Sequence, residues 1–170
     1  TESRCTRIKT DSIIKPKQVI DLARKYKIDA IAVTDHDTTS AIPKMKKYAQ
    51  KNGIVQIKRI EASTKDGHLI GLGVEERIED KLKRSMSALE VSDVIKECGG
   101  EVYIPHPFDV RDGLKEKVKE VDGIIEVFNS FRILNFEDKL ANLAATKLKR
   151  PKAVGGDAHI PSMINRGITV

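Results

Sequence analysis

The chain holds four histidines, His36, His68, His106 and His159, and each stands where an apolar run begins or ends. Acids occupy comparable places: Asp11, Asp35, Glu61 and Asp157. Imidazole nitrogens and carboxylate oxygens together suit zinc, manganese or iron better than calcium or magnesium alone. One such histidine is ordinarily a plain surface or core residue. Four of four at the edges of apolar runs, interleaved with acids, point instead to a divalent-metal site. The residues from Ala30 to Asp37 (AIAVTDHD) are the densest case, a short apolar strand that hands over directly to an acid and an imidazole. Parallel α/β proteins present chemistry in this way, at the C-terminal ends of strands. The plainer reading of Asp37 to Ser40 is a helix cap. His106 is flanked by Pro105 and Pro107, whose restricted φ suits a ligand that must not wander. Gly155 and Gly156 before Asp157 allow backbone to approach a bound group closely.

These residues need elements to hold them. Pro16 opens a helical pattern running to Tyr26, with Val19, Ile20, Leu22 and Ala23 inward. A strand is expected over 30–34, a helix over 40–52 ending at Asn52-Gly53, and strands over 54–60 and 68–74. Residues 75–86 read as a solvated connection. An amphipathic helix over 87–98 turns Leu89, Val91, Val94 and Ile95 inward. Beyond it the pattern predicts a strand over 101–104, a helix over 113–121 and a strand over 123–128. A helix over 135–148 and strands over 153–156 and 167–170 complete it. This alternation implies right-handed βα units on a parallel sheet, open or closed into a barrel, within a single domain over 1–170. Most of the histidines and acids follow strands, so a barrel gathers them at one mouth. His68 opens its strand, and reaches that mouth only if the strand runs against the pattern or the preceding turn folds over.

Composition bounds the function. Of the 170 residues 39% are hydrophobic and 33% charged, which is an ordinary globular balance. No apolar run approaches the roughly 20 residues that a membrane span needs. Cys5 and Cys98 are too few for a disulfide scaffold, so a reducing, cytoplasmic setting is expected. The net charge of +6 favours an anionic partner, while an aromatic share of 4% without Trp argues against strand binding by base stacking.

The succession of Thr34-Asp35-His36, Ile60-Glu61, Asp66-Gly67-His68, His106-Pro107 and Gly156-Asp157-Ala158-His159 resembles the motifs of the PHP (polymerase and histidinol phosphatase) family. Order and spacing match over essentially the whole chain, including the Asn129 region and the run from Arg166 to Thr169. The resemblance implies a distorted (β/α)7, TIM-like barrel carrying up to three divalent ions (Zn, Mn or Fe) and hydrolysing phosphate esters with a metal-activated water. Carried over by position, it makes Asp11, His36, Glu61, His68, His106, Asp157 and His159 metal ligands. It makes Asp35 the partner that orients His36, and offers Arg166 and Lys15 as contacts to the substrate phosphate. A phosphorylated metabolite, a nucleotide or a short oligonucleotide is the implied substrate, with nucleic acid as a possible partner and no membrane.

One departure stands out. The family opens with Asp-x-His-x-His, and this chain reads TESRCT over residues 1–6, with Cys5 the only soft donor there. Arg59 also replaces the glycine that usually precedes the motif glutamate. Fewer metals than in the family are therefore expected. Two rival readings remain: an amidohydrolase-type metal hydrolase acting at carbon, and a PHP-like module without activity that serves as a binding protein.

Overall fold

A computed structural model describes residues 14–33, 35–74, 77–131 and 135–164. The first helix, α1 (Pro16–Lys25), starts on its proline, where the missing N–H costs nothing. It buries Val19, Ile20 and Ala23. The chain continues through β1 (Ala30–Ala32), α2 (Ala41–Lys51), β2 (Val55–Ile57), β3 (Arg59–Ser63) and β4 (His68–Leu72). There follow α3 (Ala88–Glu97), β5 (Glu101–Ile104), β6 (Ile124–Asn129), α4 (Asn135–Leu148) and β7 (Lys152–Gly155). A reciprocal capping box of Ser87 and Glu90 starts α3.

The strands form two sheets. β1 and β2 pair in parallel, and five strands line up in the order β3-β4-β5-β6-β7. The expected parallel sheet holds for β5-β6-β7 only, because β4 is antiparallel to both β3 and β5. The reason is local: only residues 64–67 separate β3 from β4, far too few for a parallel crossover. Gly67 (φ +139°) closes that turn, with the Asp112–Gly113 backbone packed where a Cβ would stand. The described strands form no closed ring; the fold is α/β with two sheets joined by a bridge between His36 and Glu61.

Other expectations shift in detail. The run 54–60 splits into two strands at Lys58, which leaves Glu61 inside β3 rather than after it. The expected helix over 113–121 is a 3-10 turn, Lys115–Lys119. It starts from a left-handed Lys115 whose N–H is drawn to the Pro107 carbonyl at 2.8 Å. Leu89 lies on the exposed side of α3, since Ala88, Val91, Ser92 and Ile95 form its buried stripe. The expected strand over 167–170 lies outside the described residues.

Alternation along the strands gives the five-stranded sheet two unlike faces. Ile60, Ala62, Leu69, Val102, Ile104 and Ile125 pack with Val91 and Ile95 of α3 and Ala141 and Ala145 of α4 in the larger apolar cluster. By the same alternation Arg59 and Glu61 of β3, Tyr103 of β5 and Glu126 of β6 stand on the other face. A smaller cluster joins Val19, Ile20 and Ala23 of α1 to Met45 and Ala49 of α2, with Ile31 and Val33 of the first sheet against it.

Candidate metal centre

The reversal of β4 builds the site. His68 opens β4 opposite Ser63, the last residue of β3, so it lies at the same sheet end as residues that follow parallel strands. Its N–H donates to the Asp112 carbonyl at 2.9 Å, which ties β4 to the loop after His106. His36 reaches the same end from the first sheet. It pairs in parallel with Glu61, and on either side of it the Glu61 N–H donates to the Asp35 carbonyl (3.3 Å) and the Asp37 N–H to the Glu61 carbonyl (2.8 Å).

Donor atoms of His36, Glu61 and His68 all lie within 4.8 Å of one another. Glu61 Oε1 stands 3.2 Å from His68 Nδ1 and 3.5 Å from His106 Nε2. The rings form a chain, with centroids 4.8 Å apart between His36 and His68 and 5.7 Å between His68 and His106. Burial pushes the Glu61 carboxyl up, but the His106 and His68 rings and the charge of His36 outweigh it and hold the group well below the usual carboxylate range. Glu61 is therefore an anion although only 6% exposed. An anionic carboxylate this deeply buried among three imidazoles fits a divalent cation of the nitrogen- and oxygen-binding sort, for which His36, Glu61, His68 and His106 offer the donor atoms.

At the end of β7, His159 Nδ1 stands 2.8 Å from the Asp157 carbonyl and 3.6 Å from Asp157 Oδ1. A carbonyl can only accept, so Nδ1 carries a proton. The His159 ring also stacks on Phe131 at 4.9 Å. Burial pulls the Arg59 guanidinium down, and the nearby carboxylates of Glu61, Glu126 and Asp157 oppose that shift. Backbone strain collects here too, with φ of +56° at Asp37, +28° at His106 and +40° at Asp157. Asp and His tolerate such values better than most residues, and they cluster at working sites.

Of the residues the sequence singled out, His36, Glu61, His68 and His106 converge, and Asp157 and His159 form a second pair. The Asp35 carbonyl accepts the Glu61 N–H. Lys15 is exposed immediately before α1. Asp11, Arg166 and Cys5 lie outside the described residues. Three residues went unnoticed as parts of the site. Glu126 is 4% exposed and accepts from the Tyr103 hydroxyl (2.7 Å), the His106 N–H (2.6 Å) and Asn129 Nδ2 (2.8 Å). The signal was an acid inside the apolar run IIEVF. Asp37, first taken for a helix cap, instead accepts from Ser63 N (2.7 Å), Ser63 Oγ (3.1 Å) and Arg84 Nε (2.9 Å). Burial raises its carboxyl, but these bonds hold it below its ordinary range. Nothing in the sequence pairs Arg84 with it.

Fold and site together define an α/β protein with a cluster of histidines and a carboxylate at one end of its sheets. A family model for the PHP domain matches residues 6–90. The chain belongs to the PHP domain family. It is 31% identical over 123 residues to an uncharacterized protein of Methanocaldococcus jannaschii, covering 71% of this chain and 70% of that one. It is 26% identical to a 5′-3′ exoribonuclease of Haemophilus influenzae over 66% of this chain and 44% of the relative. Among solved structures, a Chromobacterium violaceum protein described as an amidohydrolase, with bound sulfate and no metal, superposes with a TM-score of 0.71 at 17% identity. The match covers 89% of this chain and 84% of that one. A two-domain Bacteroides vulgatus protein containing a predicted PHP-like metal-dependent phosphoesterase gives 0.71 at 18%, over 89% of this chain and 49% of that one. Likenesses at this level of identity speak to the fold alone.

Proposed function

We propose that this chain is a metal-dependent phosphoesterase. The observation that carries the reading is the group of His36, Glu61 and His68 within 4.8 Å, with His106 beside it, in a chain of the PHP family. In this reading His36, Glu61, His68 and His106 hold one cation, and Asp157 and His159, with Asp11, hold a further one. Zinc, manganese and iron all suit such donors. The two sheets, joined through His36 and Glu61, are arcs of one distorted barrel. A bound divalent ion supplies Lewis acidity toward a phosphoryl oxygen and lowers the pKa of water. The chain's own groups do the rest. Glu61 remains anionic, His159 is oriented by the hydrogen bond that its Nδ1–H donates to the Asp157 carbonyl, and Arg59 places a fixed positive charge among the carboxylates. Arg166 and Lys15 are the candidates to meet the phosphate, and Asp35 to orient His36.

The net charge of +6 and the exoribonuclease relative favour a nucleotide or a short nucleic acid over a neutral amide. The test is elemental analysis of the purified chain, followed by a screen of phosphate mono- and diesters, with amides as controls. Hydrolysis of a phosphate ester that a chelator abolishes, zinc or manganese restores and Asp157→Asn removes is the expected result. A chain that binds no divalent ion and cleaves no phosphate ester overturns the reading.

A further inference from the structure

We infer that Glu126 is a positioning residue of this site: it grips the backbone of His106 and thereby sets where that imidazole stands. The inference rests on the reading of His36, Glu61, His68 and His106 as a cation site.

Glu126 is the central residue of a clamp built from three adjacent strands. On β6 it faces away from the larger apolar cluster, whose neighbouring member Ile125 points the other way. Its Oε2 accepts the His106 N–H at 2.6 Å and Asn129 Nδ2 at 2.8 Å, and its Oε1 accepts the Tyr103 hydroxyl of β5 at 2.7 Å. From β7, Gly155 leaves the space in which the carboxylate lies: a Cβ there would collide with Glu126 Oε1. Asn129 is itself oriented, accepting the Phe131 N–H at 3.0 Å.

Burying a carboxylate is costly unless donors fill its lone pairs, and here three buried donors fill them. Of the three bonds, the one from His106 holds the peptide that carries the imidazole. His106 has φ +28°, an uncommon value outside glycine, and it precedes Pro107, which restricts it from the other side. A short bond from an N–H to a carboxylate is among the stronger hydrogen bonds available to hold such a peptide. His106 Nε2 is 3.5 Å from Glu61 Oε1, so a turn of that peptide moves the imidazole directly relative to Glu61. Partners one step removed from a metal are worth about 10–100-fold in affinity because they orient the ligands.

The test is calorimetric titration of the purified wild-type chain and its variants with Zn2+, alongside thermal unfolding without metal. Glu126→Leu should bind Zn2+ about 10–100-fold more weakly and, with three buried donors left unpaired, unfold below the wild-type temperature. Glu126→Gln, which keeps the shape but offers only a neutral acceptor, should fall between the two. Tyr103→Phe removes one of the three donors that hold the carboxylate but none that touches His106, and should weaken binding less than Glu126→Leu does. Wild-type affinity in both Glu126 variants overturns the inference while leaving the cation site standing. If Glu126→Leu does not fold, Glu126→Gln decides alone, with an unchanged dissociation constant counting against the clamp. A wild-type chain that takes up no Zn2+ overturns the cation site and the inference together.

Discussion

The two ends of the site hang on regions built very differently. Glu61, His68 and His106 belong to the five-stranded sheet, whose apolar face is sealed by α3 and α4 in a continuous core. His36 follows β1 of the two-stranded sheet, whose backing is the smaller cluster between α1 and α2. In the larger region the burial of many aliphatic side chains fixes the frame. In the smaller one fewer buried groups do this, and polar ties to the larger region supply the rest: Asp37 to Ser63 and Arg84, and Thr39 Oγ1 to the Glu79 carboxylate at 2.8 Å. Ligands held by separate cores can be brought together or pulled apart by the seam between them. The geometry of His36 relative to Glu61 is thus set by polar bonds, whereas that of His68 and His106 is set by strand packing.

Comparable deletions in the two clusters give the largest expected effect. Ile125→Ala and Ile20→Ala both remove a fully buried side chain. Ile125→Ala should destabilise by about 2–5 kcal/mol in urea unfolding, with Ile20→Ala at the lower end of that range because a smaller cluster relaxes more readily. Zn2+ titration should reverse the order, with Ile20→Ala losing more affinity relative to its loss of stability, since His36 depends on that cluster. Equal losses on both measures would show that the two clusters act as one core.

The seam itself comes next. Asp37→Ala removes a carboxylate that accepts from Ser63 twice and from Arg84, and should cost about 1.5–3 kcal/mol, read by denaturant unfolding. The loss should appear in Zn2+ affinity as well. A variant destabilised but binding normally would place the control of His36 elsewhere.

The smallest effect is a pH dependence. Burial raises the Glu79 carboxyl, but its own backbone N–H and the bonds from Thr39 outweigh this and lower it from its ordinary value. A group whose folded pKa lies below its unfolded one stabilises the fold above the unfolded value, about 4.3 for Glu, and loses that contribution as the pH falls through the folded value. The stability gap between wild type and Glu79→Gln should therefore be full at pH 6–7 and close in acid. A gap that stays constant down to pH 3 would mean that the Glu79 tie is not an ionic one.

Much of this was legible in the sequence because it depends on residue type and local period. The four histidines and Glu61 declare cation chemistry by what they are. The stripe of Val19, Ile20 and Ala23 and that of Val91 and Ile95 declare helices by spacing. Leu89 misled because a helical period marks a stripe without marking its edge.

What only the tertiary structure decided was how strands pair. His36, Glu61, His68 and His106 come from separate stretches of the chain, and their distances follow from sheet register, which no local pattern specifies; a slip of one residue would turn every side chain of a strand to the opposite face. The short turn ending at Gly67 contained the reversal of β4, but only pairing with both β3 and β5 turned that reversal into a ligand position for His68. Glu126 was hidden for the same reason. An acid inside an apolar strand reads as a misfit until β5 and β7 supply the Tyr103 hydroxyl, the His106 N–H and the space at Gly155 that account for it. Ligand chemistry is a property of the side chain, whereas the meeting of ligands is a property of contacts between residues far apart in the chain.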